Sequence, residues 1–260
     1  MKLTGERPIE GRTPSSLLAL HAAGYREVLD RVGPGRLLDL GCGLGDGSAL
    51  FIADERDVIG LDYDAPTAAA ARQAHPALLT VCSDGAVLAL RTNSVNAVCS
   101  SHLIEHFTAP EGHVAEIARV LYDDGSAYFL TPNAPADFEN PYHVHLFEPD
   151  PLRAMLGRHF HDVVVLGLDG DDVVKLDFER RRTFARRLLR LDVLGLRHRL
   201  PRRWYVGLHA AARRLAYPLL ARRAARSAPT APIGAERFRL TSSIDDTTLV
   251  LFAVASRPRR

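Results

Sequence analysis

Apolar residues along this chain recur at two different periods. Over 13–32, Leu17, Leu18, Leu20, Tyr25, Val28 and Leu29 fall at helical spacing. Thr13 suits the cap, Pro14 suits the first turn, and Gly33-Pro34-Gly35 ends the run, so this stretch is predicted to be a helix. Short, almost continuous apolar runs follow at 36–40, 58–61, 78–82, 95–100 and 126–131, and each is predicted to be a strand. Helical stretches at 66–74 and 111–121 lie between them. Strands that are apolar throughout and alternate with helices imply a parallel sheet covered on both faces. A further helix is predicted at 151–158, a strand at 162–168 and a closing strand at 247–255.

Charge divides the chain into two parts. The formal net charge is only +2, yet 180–226 holds fifteen arginines, no lysine and one acid, Asp192. That segment carries +14 and the remainder −12. It reads as helical in propensity, broken at Gly195, Pro201 and Pro218, and Ser227 to Pro232 reads as a loop. The closing strand is needed to complete the sheet, so the basic stretch is an insertion. The expected organisation is a core of 1–168 plus 240–260, with 169–239 as an Arg-rich helical insertion or cap.

At 47% hydrophobic and 25% charged, the chain is neither disordered nor collagen-like. Its longest weakly polar stretches, 163–168 and 249–255, fall well short of the ~20 residues a membrane span needs. No apolar run follows the charged start of the chain, so no secretory leader is expected and the cytoplasm is the expected location. Cys42, Cys82 and Cys99 are odd in number and widely spaced, fitting neither a disulfide framework nor a CxxC metal site; buried reduced thiols are expected.

Asp39-Leu40-Gly41-Cys42-Gly43-Leu44-Gly45 leads from the first strand into a helix, where glycines let a ligand approach the backbone closely. A dinucleotide fingerprint would need glycine at position 46, which is Asp46, and no Gly-Lys-Ser/Thr ending follows for a P-loop. The run instead resembles motif I of class I S-adenosylmethionine-dependent methyltransferases. Later stretches keep the family's order: Asp62, seventeen residues past Gly45; Ser83-Asp84-Gly85; and Ser100-Ser101-His102-Leu103-Ile104-Glu105-His106.

This resemblance implies S-adenosyl-L-methionine as cofactor. It also implies an α/β, Rossmann-like, doubly wound, mostly parallel sheet of seven strands, the last two forming an antiparallel edge hairpin with the basic insertion between them. Asp39, Gly41, Cys42, Gly43 and Gly45 would form the cofactor loop, with Asp62 and its neighbour Tyr63 at the ribose. Ser83, Asp84 and Gly85 would receive the adenine, and Ser100, Ser101 and His102 would line the methionine end.

Methyl transfer to a hydroxyl needs donor and acceptor aligned and a proton removed, for which histidine is suited. His106, His143 and His145 are the candidate catalytic residues, with packing roles as the alternative for each. Asp137, Glu139, His143 and His145 lie close together, but no spacing matches a closed zinc pattern, so no metal ligands are assigned. No Asn/Asp-Pro-Pro-aromatic run follows the fourth strand, which argues against the amino-methylating nucleic-acid enzymes of this family. Thr4-Gly5-Glu6-Arg7, Thr131-Pro132-Asn133, Asn140-Pro141-Tyr142-His143 and Asp245-Asp246 resemble methyltransferases of polymethylated saccharides and cell-envelope glycans. The expectation is O-methylation of a small molecule or saccharide. The arginines suggest three further roles: a solvated helical cap, peripheral contact with anionic lipid at the inner membrane face, or, less favoured, a nucleic-acid patch. The alternative functions are an RNA-modifying methyltransferase and a non-catalytic cofactor-binding partner protein.

Overall fold

The computed structural model describes residues 13–137, 142–189 and 232–260. Its strands, β1 (Gly35–Leu40), β2 (Arg56–Asp62), β3 (Leu79–Cys82), β4 (Val95–Ser101), β5 (Leu121–Pro132), β6 (Phe160–Gly170), β7 (Phe238–Thr241) and β8 (Val250–Pro258), form one sheet in the order β3-β2-β1-β4-β5-β8-β6-β7. The first five pair in parallel. β8 runs antiparallel to both β5 and β6, and β7 antiparallel to β6.

The helices are α1 (Ser15–Leu29), α2 (Asp46–Ala49), α3 (Ala65–Ala74), α4 (Pro110–Val120), α5 (Pro149–Gly157) and α6 (Asp172–Leu189). One apolar layer joins α4 and α5 to the sheet through Val114, Ile117, Leu152 and Leu156, against Leu38, Val98 and Phe129. The opposite layer sets Leu20, Ala23 and Val28 of α1, and Val174 and Phe178 of α6, against Leu37, Cys99 and Leu130. Leu37 to Leu40 are all buried, as are Val58 to Asp62, because both sheet faces are covered. That is why the sequence shows no alternation there.

Three expectations are corrected. The sheet has eight strands: β7 adds a short edge beyond β6, while the closing strand β8 lies between β5 and β6 and pairs antiparallel with β6 as expected. Pro14 occupies the cap position of α1, which has no side-chain cap; by contrast, Asp64 caps α3 by accepting from the Thr67 amide at 3.2 Å. Cys82 is exposed because β3 is an edge strand, while Cys42 and Cys99 are buried as expected.

Of the Arg-rich interval, α6 and β7 are described and both contribute to the core, through Val174, Phe178 and Phe238. Residues 190–231 lie outside the described residues, as do Thr4 to Arg7, Glu139, Asn140 and Pro141. Among the described residues, no helix is long and apolar enough to cross a membrane.

Candidate active site

Parallel registers bring the carboxyl ends of β1, β2 and β4 side by side: Leu40 stands beside Leu61 on one flank and Ser100 on the other. The loop beyond β1 turns through positive φ at Gly41, Gly43 and Gly45 (72°, 57° and 86°), a region that penalises side chains. A Cβ on Gly41 would meet Leu103 at 3.2 Å, and one on Gly45 would meet His75 and Leu78 at 3.0 Å. The bare backbone is therefore required both by conformation and by space.

Asp39 lies beneath this loop. Its carboxylate accepts from Ser48 Oγ at 2.5 Å and Tyr25 Oη at 3.1 Å, and burial pushes its pKa up to about 6 against the pull of those bonds. It fixes the loop from below and is closed to ligand. Cys42 is also buried, against Gly60. Asp62 stands at the end of β2, its Oδ2 accepting from Gly43 N at 3.1 Å and its Oδ1 from Asp64 N at 2.9 Å. Asp62 itself is buried, and a carboxylate oxygen can accept more than one bond, so these two bonds do not by themselves exhaust it. Tyr63 next to it is 61% exposed.

Asp84 is exposed in the turn after β3, accepting from Ala86 N at 2.8 Å, while Ser83 Oγ donates to Val87 O at 2.9 Å. This turn is tied to the end of β4 by a residue that the sequence reading passed over as packing. His113 of α4 is fully buried, stacks on Phe107, and donates from Nδ1 to Gly85 O at 2.7 Å; its Nε2 accepts from Ser100 Oγ at 3.0 Å. Ser100, expected to line the methionine end, is instead fully buried and braces the turn after β3 through His113.

Burial holds His113 neutral, lowering its pKa to about 4 against the Gly85 bond and the nearby charges of Glu105 and Asp84. Because the folded value lies below the ordinary 6.5, folding loses stability from this group as pH falls from 6.5 toward 4. Asp39 acts in the opposite sense: its raised value favours the folded state as pH falls from about 6 toward 3.8. Glutamine can keep both bonds of His113 without titrating. His113→Gln is therefore expected to gain about 2 kcal/mol relative to the parent between about pH 7 and about pH 4.5, in denaturant titrations at the two pH values. Equal pH dependence in both proteins would contradict the neutral assignment.

The residues after β4 form a second polar group. Leu103, which closes under Gly41, links them to the glycine loop. His102 adopts φ 51°, with Nδ1 3.5 Å from Glu105 Oε1, and its ring lies 4.2 Å from that of His21 on α1. Ser101 Oγ and His102 Nε2 are buried with no hydrogen-bond partner. Glu105 is fully buried; its Oε2 accepts from Thr131 Oγ1 at 3.1 Å, while Oε1 has no hydrogen-bond partner. Burial raises the Glu105 pKa, but His102, His106 and His143 together outweigh it and hold the carboxyl below its ordinary range.

The Glu105 backbone carbonyl accepts from Val144 N at 2.8 Å and His145 N at 3.1 Å, docking the segment after β5 onto the turn after β4. This docking brings His106 and His143 together, their rings 5.4 Å apart and edge to face. Tyr142 O lies 3.0 Å from His106 Nδ1, and both Asp137 oxygens lie 3.0 Å from His143 Nδ1. A carbonyl and an ionised carboxylate only accept, so both rings carry hydrogen on Nδ1. His145 does not join them: it is exposed and lies against Phe147. Arg182 of α6 reaches the same neighbourhood, donating to Ala136 O at 2.9 Å. The Thr131-Pro132-Asn133 and Asp245-Asp246 stretches also meet, Asn133 Nδ2 donating to Asp245 O and Thr248 O at 2.9 Å each.

A methyltransferase-domain family model matches residues 38–129, which run from β1 into β5. A "probable S-adenosylmethionine-dependent methyltransferase" of Mycobacterium tuberculosis is 32% identical over 176 residues, covering 65% of this chain and 64% of the relative. A "probable S-adenosylmethionine-dependent methyltransferase" of Mycolicibacterium smegmatis is 35% identical over 134 residues, covering 51% and 52%. The chain thus spans less than two thirds of the length of these relatives. Among solved structures, an S-adenosylmethionine-dependent methyltransferase of Thermotoga maritima, described as a possible histamine N-methyltransferase, superposes with TM-score 0.57 at 13% identity, covering 92% of this chain and 91% of that one. The [4+2]-cyclase SpnF superposes with TM-score 0.55 at 16% identity, covering 99% and 88%. These likenesses show the shared fold and leave the reaction to the site.

Proposed function

We infer that this chain, which carries a class I S-adenosylmethionine-dependent methyltransferase domain, methylates an oxygen atom of a small molecule or saccharide. The observation that carries the choice of oxygen is the pair His106 and His143, backed by Tyr142 O and Asp137, in the region after β4 whose Leu103 packs at Gly41. The loop suits the cofactor: Gly41, Gly43 and Gly45 leave the backbone bare beyond β1, and the Asp62 carboxylate stands at the end of the adjacent β2, where it accepts from Gly43 N. Gly41, Gly43 and Gly45 would border it, Asp62 would hold its ribose, and Asp84 its adenine amine.

When bound, S-adenosylmethionine supplies a methyl group made electrophilic by the sulfonium. An alcohol must still lose its proton to become a good acceptor, and His143 Nε2 is the atom that takes it. Asp137 holds the ring in the required tautomer and balances the charge gained. Arg182 and Tyr142 limit water around the pair from the α6 side and the 142–147 side. A saccharide supplies neutral hydroxyls, which stay protonated at neutral pH and need this help.

Full-length protein incubated with methyl-labelled cofactor is expected to label hydroxylated small molecules or saccharides, with amines and RNA as comparison acceptors. Label confined to amines or to RNA, or no cofactor binding in calorimetry, would reject the reading.

A further inference from the structure

The two histidines and Glu105 have a property that proton transfer does not use. One ligand atom from each of Glu105, His106 and His143 lies within 4.8 Å of the others. We propose that these three residues bind a divalent transition-metal ion of the zinc, manganese or iron class.

Three observations support it. Glu105 Oε1 is wholly buried with no hydrogen bond, His102 Nδ1 standing 3.5 Å away, and a buried acceptor so loosely paired costs up to roughly 1–3 kcal/mol. His106 and His143 both direct Nδ1 to an acceptor, Tyr142 O and Asp137, as metal-binding histidines do when an outer partner sets the tautomer. Finally, the set is two imidazoles and one carboxylate, which suits zinc and related ions better than magnesium. Bonds of about 2.0–2.2 Å require donor atoms about 3.3 Å apart, so small side-chain rotations would draw the three together around an ion. Three protein donors leave coordination open, as in catalytic rather than structural sites.

The sequence reading assigned no metal because the ligands come from two turns thirty-eight residues apart, with no short-range spacing to betray them. The inference deepens the methyl-transfer reading, on which its role for the acceptor rests. A bound ion and the transferred proton would compete for His143, so metal-loaded and metal-free protein are expected to differ in the pH dependence of methyl transfer.

Chelator-treated full-length protein is to be titrated with zinc and with manganese chloride by calorimetry, and with cobalt chloride by absorption spectroscopy. One ion per chain is expected, with d–d bands of a low-coordinate site in the cobalt form. His106→Ala and Glu105→Gln should each weaken zinc binding about 100-fold and remove those bands. Calorimetry with S-adenosylmethionine on the same samples reports folding and the cofactor site separately. Cofactor binding without stoichiometric metal, or zinc affinity within threefold of the parent in His106→Ala, overturns the metal site and leaves the methyl-transfer reading standing. Metal binding without cofactor binding overturns the methyl-transfer reading and leaves the ion.

Discussion

Asp62→Ala is expected to weaken S-adenosylmethionine binding by about 100-fold or more in calorimetry, with the protein still folded. Each hydrogen bond to a charged acceptor is worth about 1.5–3 kcal/mol, so losing two ribose bonds removes enough for two decades. The same change strips Gly43 N and Asp64 N of their acceptor, loosening the loop on the side where the cofactor would lie. Folding should survive because the loop has an independent anchor beneath it, Asp39 held by Ser48 and Tyr25. Asp62→Asn would not rescue binding: the amide nitrogen must face one of the two backbone N–H groups or a hydroxyl that needs an acceptor. A dissociation constant within fivefold of the parent, in a protein with unchanged melting temperature, would remove Asp62 from the cofactor site.

What the sequence disclosed and what it hid follow from the range of the interactions involved. The inner parallel strands were visible because burial on both faces demands apolar runs such as Leu37-Leu38 and Val58-Ile59. Gly41, Gly43 and Gly45 were visible for an equally local reason, since positive φ selects glycine whatever the surroundings. Phe238–Thr241 was not visible as a strand: four residues carry too little pattern, and only antiparallel pairing with β6 defines them. Cys82 looked as buried as Cys99 because local sequence does not mark which strand lies at an edge.

The polar site is a sharper case. His106 and His143 were nominated from their places after β4 and β5, but His145, two residues on, turned outward against Phe147. Glu105, the hub of the cluster, was quoted only as part of a motif, since its importance comes from Thr131 and from the 142–147 segment docking on its carbonyl. His113 drew no attention because its partners, Gly85 and Ser100, belong to two other strand ends. Asp39 resembled a ligand contact; the structure makes it a support, and its raised pKa is the consequence of that burial.

His143→Ala is expected to lower kcat about 100-fold or more, the range that a general base contributes, while the S-adenosylmethionine dissociation constant stays within twofold. The separation would arise because the proposed cofactor contacts, Asp62 and the glycine loop, belong to β1 and β2, whereas His143 is brought in after β5 through the Glu105 carbonyl. Asp137→Asn should cost less, about tenfold in kcat with little change in KM for the acceptor: asparagine can still accept from Nδ1–H but cannot balance a charge gained on the ring. The order of the two effects is the informative result. A purely structural role for the pair would lower melting temperature and cofactor affinity together, because displacing the 142–147 segment would disturb the turn after β4 and, through Leu103, the glycine loop. A role at the acceptor lowers kcat alone. A kcat within threefold of the parent in His143→Ala would take the proton away from this histidine.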